Sequence, residues 1–195
     1  NDLVATAGAT LFLENKTSVL DRVVNINKNI DIYGGYNATD GLFSTVNGLN
    51  IYRLFSIGAN TVRFFNINFI NGKINNANGG AIYASGGALT VTNSSFINNE
   101  ANGNSQTTGH GGAIYGTTIT IVSSNFTSNT AKSSNTYGGY GGAVYGTKVI
   151  SKYSNFYNNY ASGIGGGIYG LNHVNATKST FINNTAIQPI GYDWA

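Results

Sequence analysis

Two short motifs alternate along this chain of 195 residues. One is Gly-Gly-small-Ile/Val-Tyr, found at Gly79-Gly80-Ala81-Ile82-Tyr83, Gly111-Gly112-Ala113-Ile114-Tyr115, Gly141-Gly142-Ala143-Val144-Tyr145 and Gly165-Gly166-Gly167-Ile168-Tyr169. The other is Phe-x-x-Asn, at Phe96 to Asn99, Phe126 to Asn129, Phe156 to Asn159 and Phe181 to Asn184, with a variant at Phe69 in which Gly72 holds the Asn position. From the first Gly to the next Phe the distances are 17, 15, 15 and 16 residues, and from Phe to the next Gly-Gly they are 10, 15, 15 and 9. The first half of the repeat is therefore nearly fixed in length and the second half admits insertions. A fixed period constrains a fold more than local propensity does. Each copy must be one supersecondary unit that buries its apolar face against its neighbours, with insertions emerging as loops.

Within the fixed half, apolar residues stand seven and five positions before each Phe: Leu89 and Val91, Ile119 and Ile121, then Val149 and Val174 in the later copies. A spacing of two is the strand period and puts both side chains on one face. The Phe is out of phase with them, so a bend is expected at Asn93-Ser94, Ser123-Ser124, Tyr153-Ser154 and Lys178-Ser179, most of which are turn-favouring residues. About three short strands per coil follow: one through Gly-Gly-small-Ile-Tyr, one through the paired apolar residues and one through Ser-x-Phe. The composition excludes a helical bundle, since 30 Asn, 27 Gly and 20 Thr face only 9 Leu and 2 Glu.

These features predict an all-β chain folded as a single-stranded parallel β-helix, a solenoid whose coils lie about 4.8 Å apart and place equal motif positions in columns. The column Phe69, Phe96, Phe126, Phe156 and Phe181 is expected to fill the core. Asn99, Asn129, Asn159 and Asn184 are expected to turn inward as a ladder bonded to the corners above and below. The Gly pair supplies backbone freedom where the chain re-enters its first strand. Residues 1–195 read as one domain: 1–19 a cap or first coil, 20–68 irregular coils, 69–186 the regular repeats and 187–195 a tail holding Pro189 and Trp194. The chain is expected to be part of a longer surface protein.

The pairing of Gly-Gly-Ala-Ile with Phe-x-x-Asn resembles the repeats of the polymorphic outer-membrane proteins, first defined in chlamydiae. The run from Ile26-Asn27-Lys28-Asn29-Ile30-Asp31-Ile32 through Arg53-Leu54-Phe55-Ser56-Ile57 to Phe69-Ile70-Asn71-Gly72 and Gly79-Gly80-Ala81-Ile82-Tyr83 also resembles adhesin-like surface proteins of methanogenic archaea. The resemblance spans roughly residues 20 to 186. It implies a right-handed, pectin-lyase-like β-helix at the cell surface, extracellular and acting in adhesion, and it brings no catalytic residues. Attachment to a membrane or wall is expected to depend on regions outside this chain.

Related β-helices also host polysaccharide lyases and hydrolases, so chemistry must separate the classes. Hydrolysis of a glycosidic bond needs two facing carboxylates, and a calcium-assisted lyase needs several oxygen ligands. The acids are Asp2, Glu14, Asp21, Asp31, Asp40, Glu100 and Asp193, so only Glu100 lies between residues 41 and 192. A carboxylate site could form only from Asp21, Asp31 and Asp40, of which Asp21 and Asp31 are candidates for proximity. His110, before a Gly pair, and His173, in a short turn, read as loop or surface residues without carboxylate partners. With no Cys, thiolate chemistry is absent; no enzyme activity, metal or cofactor is expected. The Gly-rich run 138–142 lacks the Lys and helix of a phosphate loop. The formal charge of +3 arises from scattered cations, not from a stripe that would bind nucleic acid.

Binding has better candidates. If the motif Ile or Val points inward, Tyr83, Tyr115, Tyr145 and Tyr169 point outward in a row, and aromatic faces bind sugars and flat ligands. Stacked tyrosines also stabilise a sheet surface without binding anything. Two long loops, Glu100 to His110 and Ala131 to Tyr140, should emerge side by side with Asn102, Asn104, Gln106, Tyr137 and Tyr140. The expected partner is a glycan or a surface protein of another cell. End-to-end stacking into a fibre or sheath is the structural alternative. Sequons at Asn15, Asn37, Asn93, Asn125, Asn175 and Asn183 suit an extracellular chain.

Overall fold

The computed structural model describes residues 9–36, 43–135 and 138–187. Asp2, Asn37, Asp40, Tyr137, Pro189, Asp193 and Trp194 lie outside the described residues. Among those described, every regular element is a β-strand, and the strands stack in parallel into three sheets of nine, seven and five strands. This is a parallel β-helix. Each strand pairs with its counterpart one coil further along, and the motif positions stand in register: Ile82, Ile114, Val144 and Ile168 in the first sheet, and Phe69, Phe96, Phe126, Phe156 and Phe181 in the second.

The three faces are divided differently from the spacing's expectation. In the early coils the motif strand and the paired-apolar strand are separate, as Phe55–Ile57 and Val62–Phe65. In the later coils they fuse into single strands, Ile82–Thr92, Ile114–Val122, Val144–Lys152 and Ile168–Thr177. The third face is built from Lys73–Asn75, Glu100–Gly103, Thr130–Ser133, Tyr160–Ala161 and Thr185–Ala186, residues that the spacing assigned to the variable half. Their inward side chains Ala101, Ala131 and Ala161 are fully buried. The loops therefore begin only after Gly103 and Ser133. At the other end of the chain, Ala9–Glu14 and Thr17–Val19 pair with Ile30–Tyr36 and Ser44–Asn47, so residues 9–19 supply the first layer.

Two corners separate the three faces, and each is turned by one left-handed residue per coil. Asn93, Ser123, Tyr153 and Lys178 turn the first with φ of 47, 48, 53 and 50°, and Asn98, Ser128, Asn158 and Asn183 turn the second with φ of 55, 56, 54 and 54°. The next residue points inward in both cases. At the second corner, Asn99 Oδ1 accepts the Gly72 N–H at 2.8 Å while its Nδ2 donates to the Phe69 carbonyl at 3.0 Å, and Asn129, Asn159 and Asn184 repeat the pattern. The first corner carries a second ladder, of Ser94, Ser124 and Ser154, whose buried hydroxyls accept an N–H from the preceding coil and donate to a carbonyl two residues back. Between the ladders, the phenylalanines stack at 4.4, 4.6, 4.8 and 4.7 Å along the axis.

The two glycines of each pair have different duties. Gly79, Gly111, Gly141 and Gly165 adopt φ of 72, 64, 68 and 72°, which suits a residue without Cβ. Gly80, Gly112 and Gly142 lie against the next coil, where a Cβ would fall 2.2, 2.2 and 2.0 Å from a glycine carbonyl oxygen.

Candidate functional site

Ile82, Ile114 and Val144 are fully buried, so the residue after each faces outward. Tyr83, Tyr115, Tyr145 and Tyr169 form the resulting row, with ring centroids 5.3, 4.9 and 5.2 Å apart and planes within 8, 7 and 20° of parallel. The rings stack along the solenoid axis, so each inner ring has both faces covered by its neighbours. What it offers to solvent is an edge and a hydroxyl, not the aromatic face that the sequence led us to expect. At the start of the row the Arg53 guanidinium lies 5.0 Å from the Tyr83 ring centroid, held by its Nε donating to Gly79 O at 2.9 Å and its Nη2 to Asn78 O at 2.6 Å.

A second column runs beside the first, from the residue that precedes each of the first three Gly pairs: Asn78, His110 and Tyr140. Asn78 Oδ1 accepts the His110 N–H at 2.9 Å, and His110 Nδ1 accepts the Tyr140 N–H at 3.1 Å. Because Nδ1 accepts, the imidazole proton resides on Nε2, which donates to the Gln106 carbonyl at 3.0 Å. The ring stacks on Tyr140 at 5.0 Å and on Tyr145 at 4.9 Å, and Tyr140 in turn leans on Tyr169 at 5.2 Å. His110 thus lies in a loop, one of the two alternatives expected, but is buried there at 5% exposure. Burial holds its imidazole below the ordinary value, partly offset by the Gln106 hydrogen bond. Its signal in the sequence was the equivalent position before successive Gly pairs.

This column joins what looked like two separate candidates. Gln106 lies in the loop after Glu100–Gly103, and His110 ties that loop to Tyr140 and to the tyrosine row. The loop is folded on itself by Thr108, whose Oγ1 accepts the N–H groups of Asn104 and Ser105 at 3.1 Å each. Asn102 belongs elsewhere. It lies on the third sheet, where its amide donates to Glu100 Oε1 at 2.6 Å and Asn75 Oδ1 at 3.2 Å. Burial pushes Tyr115, Tyr140 and Tyr145 above the ordinary phenol value, and neighbouring tyrosines add to the effect.

Each carboxylate among the described residues has a cation of its own. Glu14 pairs with Lys16 at 2.6 Å, Asp21 with Arg22 at 3.1 Å, Asp31 with Arg63 at 2.6 Å and Glu100 with Lys73 at 3.2 Å. Burial raises the Glu100 carboxyl, but the Asn102 hydrogen bond and the Lys132 and Lys73 charges outweigh it and hold it low. A shallow pocket lined by Asn29, Ile30, Asp31, Thr61 and Arg63 contains one carboxylate, already engaged by Arg63. No group of three His, Cys, Asp or Glu occurs among the described residues. His173 lies in the strand Ile168–Thr177 opposite Lys148, not in a turn.

Residues 93–117 match the Chlamydia polymorphic membrane protein (Chlamydia_PMP) repeat. The matched segment starts at the Asn93 corner, passes Phe96, Asn99, Gln106 and His110, and ends just past Tyr115. The matched segment thus contains a corner, a core ring, a ladder Asn, a loop and an outward tyrosine. The repeat is that of an outer-membrane or surface protein family, in keeping with an adhesin-like surface protein. No curated protein and no solved structure matches the chain.

Proposed function

We propose that this chain is a non-enzymatic, extracellular adhesin-like domain whose rigid solenoid presents a binding surface to a glycan or protein on another cell. The surface is the tyrosine row together with the loop fastened to it by His110. The observation that carries this reading is the His110 stack, which unites the loop of Gln106, Tyr140 and the row into one ordered patch. Loops held over a stiff scaffold are a common recognition design, and rigid aromatic side chains give contact area at low entropic cost. The separate pairing of each described carboxylate supports the non-enzymatic part, because glycosidase chemistry needs two carboxylates free to face one bond.

The test is a glycan-array and cell-binding screen with the wild type, Tyr115→Ala/Tyr145→Ala and a variant lacking residues 104–108. Binding by the wild type and its loss in both variants is the expected result. Equal binding by all three would remove the surface. In parallel, incubation with pectins and other polysaccharides should release no new reducing ends or unsaturated products; turnover would overturn the non-enzymatic reading.

A further inference from the structure

The tyrosine row has a period as well as a chemistry. Its centroids follow one another at 5.3, 4.9 and 5.2 Å, because in-register parallel strands impose one tyrosine per coil. Mutual stacking closes the gaps between inner rings to a sugar or any other flat group. What remains open is a line of ring edges, each carrying a hydroxyl that can donate and accept a hydrogen bond. Burial keeps Tyr115 and Tyr145 protonated beyond the ordinary phenol range, so these hydroxyls are neutral donors at any physiological pH.

A ligand that uses this line must repeat its polar groups at the coil spacing and stay straight. An extended β-1,4-linked glycan meets both conditions. Its diequatorial linkages carry the chain forward by about one ring length per sugar, close to the stacking distance of the coils. Successive sugars turn opposite edges toward the protein, and both edges carry hydroxyls. An α-1,4-linked chain curls and loses the register after one or two contacts. We propose that the row Tyr83, Tyr115, Tyr145 and Tyr169 binds a linear β-1,4-linked glycan laid parallel to the solenoid axis, one sugar per coil. This rests on the reading of the tyrosine row as part of the binding surface, and adds to it the ligand class, its direction and its register.

The experiment titrates the protein with cello- and chito-oligosaccharides of two to six sugars and with malto-oligosaccharides of the same lengths, by calorimetry. Affinity for one β-linked series should climb with each added sugar up to four, the number of tyrosines in the row, and then level off. The α-linked series should bind at least about tenfold more weakly at four sugars. Tyr115→Phe/Tyr145→Phe preserves the stack but removes two hydroxyls, and should lose about tenfold, the worth of two modest hydrogen bonds. An unchanged thermal midpoint verifies that this variant is folded.

Affinity independent of linkage or length, or full affinity in the Phe variant, overturns the axial register. If Tyr115→Ala/Tyr145→Ala still abolishes cell binding in that case, the adhesive surface stands without it. Absence of binding to either β-linked series also overturns this proposal, and the screen on cells then decides separately whether the surface itself survives.

Discussion

A single buried amide at the second corner links three coils. Asn129 Oδ1 accepts from the Asn99 N–H at 3.1 Å and from Asn99 Nδ2 at 2.9 Å, while its own Nδ2 donates to Phe96 O at 3.0 Å and Asn159 Oδ1 at 2.9 Å. Both capacities of the amide are in use. Asn129→Ala strands several buried partners and is expected to cost about 3 kcal/mol in urea unfolding. Asn129→Asp keeps the acceptors but turns a carboxylate toward Asn159 Oδ1 and Phe96 O. Burial raises such a carboxyl above its unfolded value, so the variant loses stability as pH rises from 4 to 7. His110 gives the wild type a dependence of the opposite sign. Its folded value lies below the unfolded value of about 6.5, so its contribution is complete above that pH and is lost as pH falls toward the folded value. Protonation also places a hydrogen on Nδ1 against the Tyr140 N–H, and the rings of Tyr140 and Tyr145 are the titratable groups stacked on it. Thermal unfolding between pH 7 and 5 should show a falling midpoint in the wild type and a flatter, lower one in His110→Phe.

At the scale of the strand and its turns, steric fit matters as much as flexibility. A Cβ on Gly142 would fall 2.0 Å from Gly166 O and 2.7 Å from the Tyr160 carbonyl carbon, both backbone atoms that cannot step aside. Gly142→Ala is therefore expected to cost about 3 kcal/mol or more, at the upper end for overpacking. Gly58→Ala, where the nearest atom is an Asn60 side-chain nitrogen at 3.6 Å, should stay within about 0.5 kcal/mol. Equal effects of the two in thermal melts would show that stacking clearance is not what fixes the second Gly of the pair. The columns of Phe and Tyr were legible in the sequence because their period is intact and their side chains are large. The third sheet was not, because three of its strands present one small inward residue each, Ala101, Ala131 and Ala161, too short a run to display alternation. Only the recurrence of Asn-x-Ala carries it. The Ser ladder was legible as a turn but not as a buried hydroxyl column, since its hydrogen bonds reach across coils. At the candidate site the outward row was legible and its stacking was not. The junction through His110 was not legible because the position before the Gly pair changes from Asn78 to His110 to Tyr140 to Ile164, so no residue type recurs there.

For the whole molecule, stability follows from layers that touch only their immediate neighbours, so it is close to a sum of coil and interface contributions. The inner layers are sealed on both sides: Phe126, Phe156 and Val149 are fully buried. Among the described residues, the layer of Ile168–Thr177 and Thr180–Ile182 pairs with a neighbour on one side, and Phe181 is 45% and Val174 43% exposed. Local opening costs least where few apolar contacts are lost. Hydrogen exchange followed by mass spectrometry should therefore find peptides from the two outermost described layers, residues 9–19 and 168–187, exchanging before those from 111–161. On this expectation Tyr115 and Tyr145 stand on slow layers and Tyr169 on a fast one, so the middle of the row keeps its stacked geometry while the layer of Tyr169 opens more readily. A ligand spanning all four tyrosines would bind the closed form of the last layer and should slow exchange there by mass action, with little change in the layers already protected. Uniform protection from residue 9 to 187 in the free protein would mean instead that the solenoid opens as one cooperative unit, and a ligand on the row would then slow exchange everywhere by the same factor.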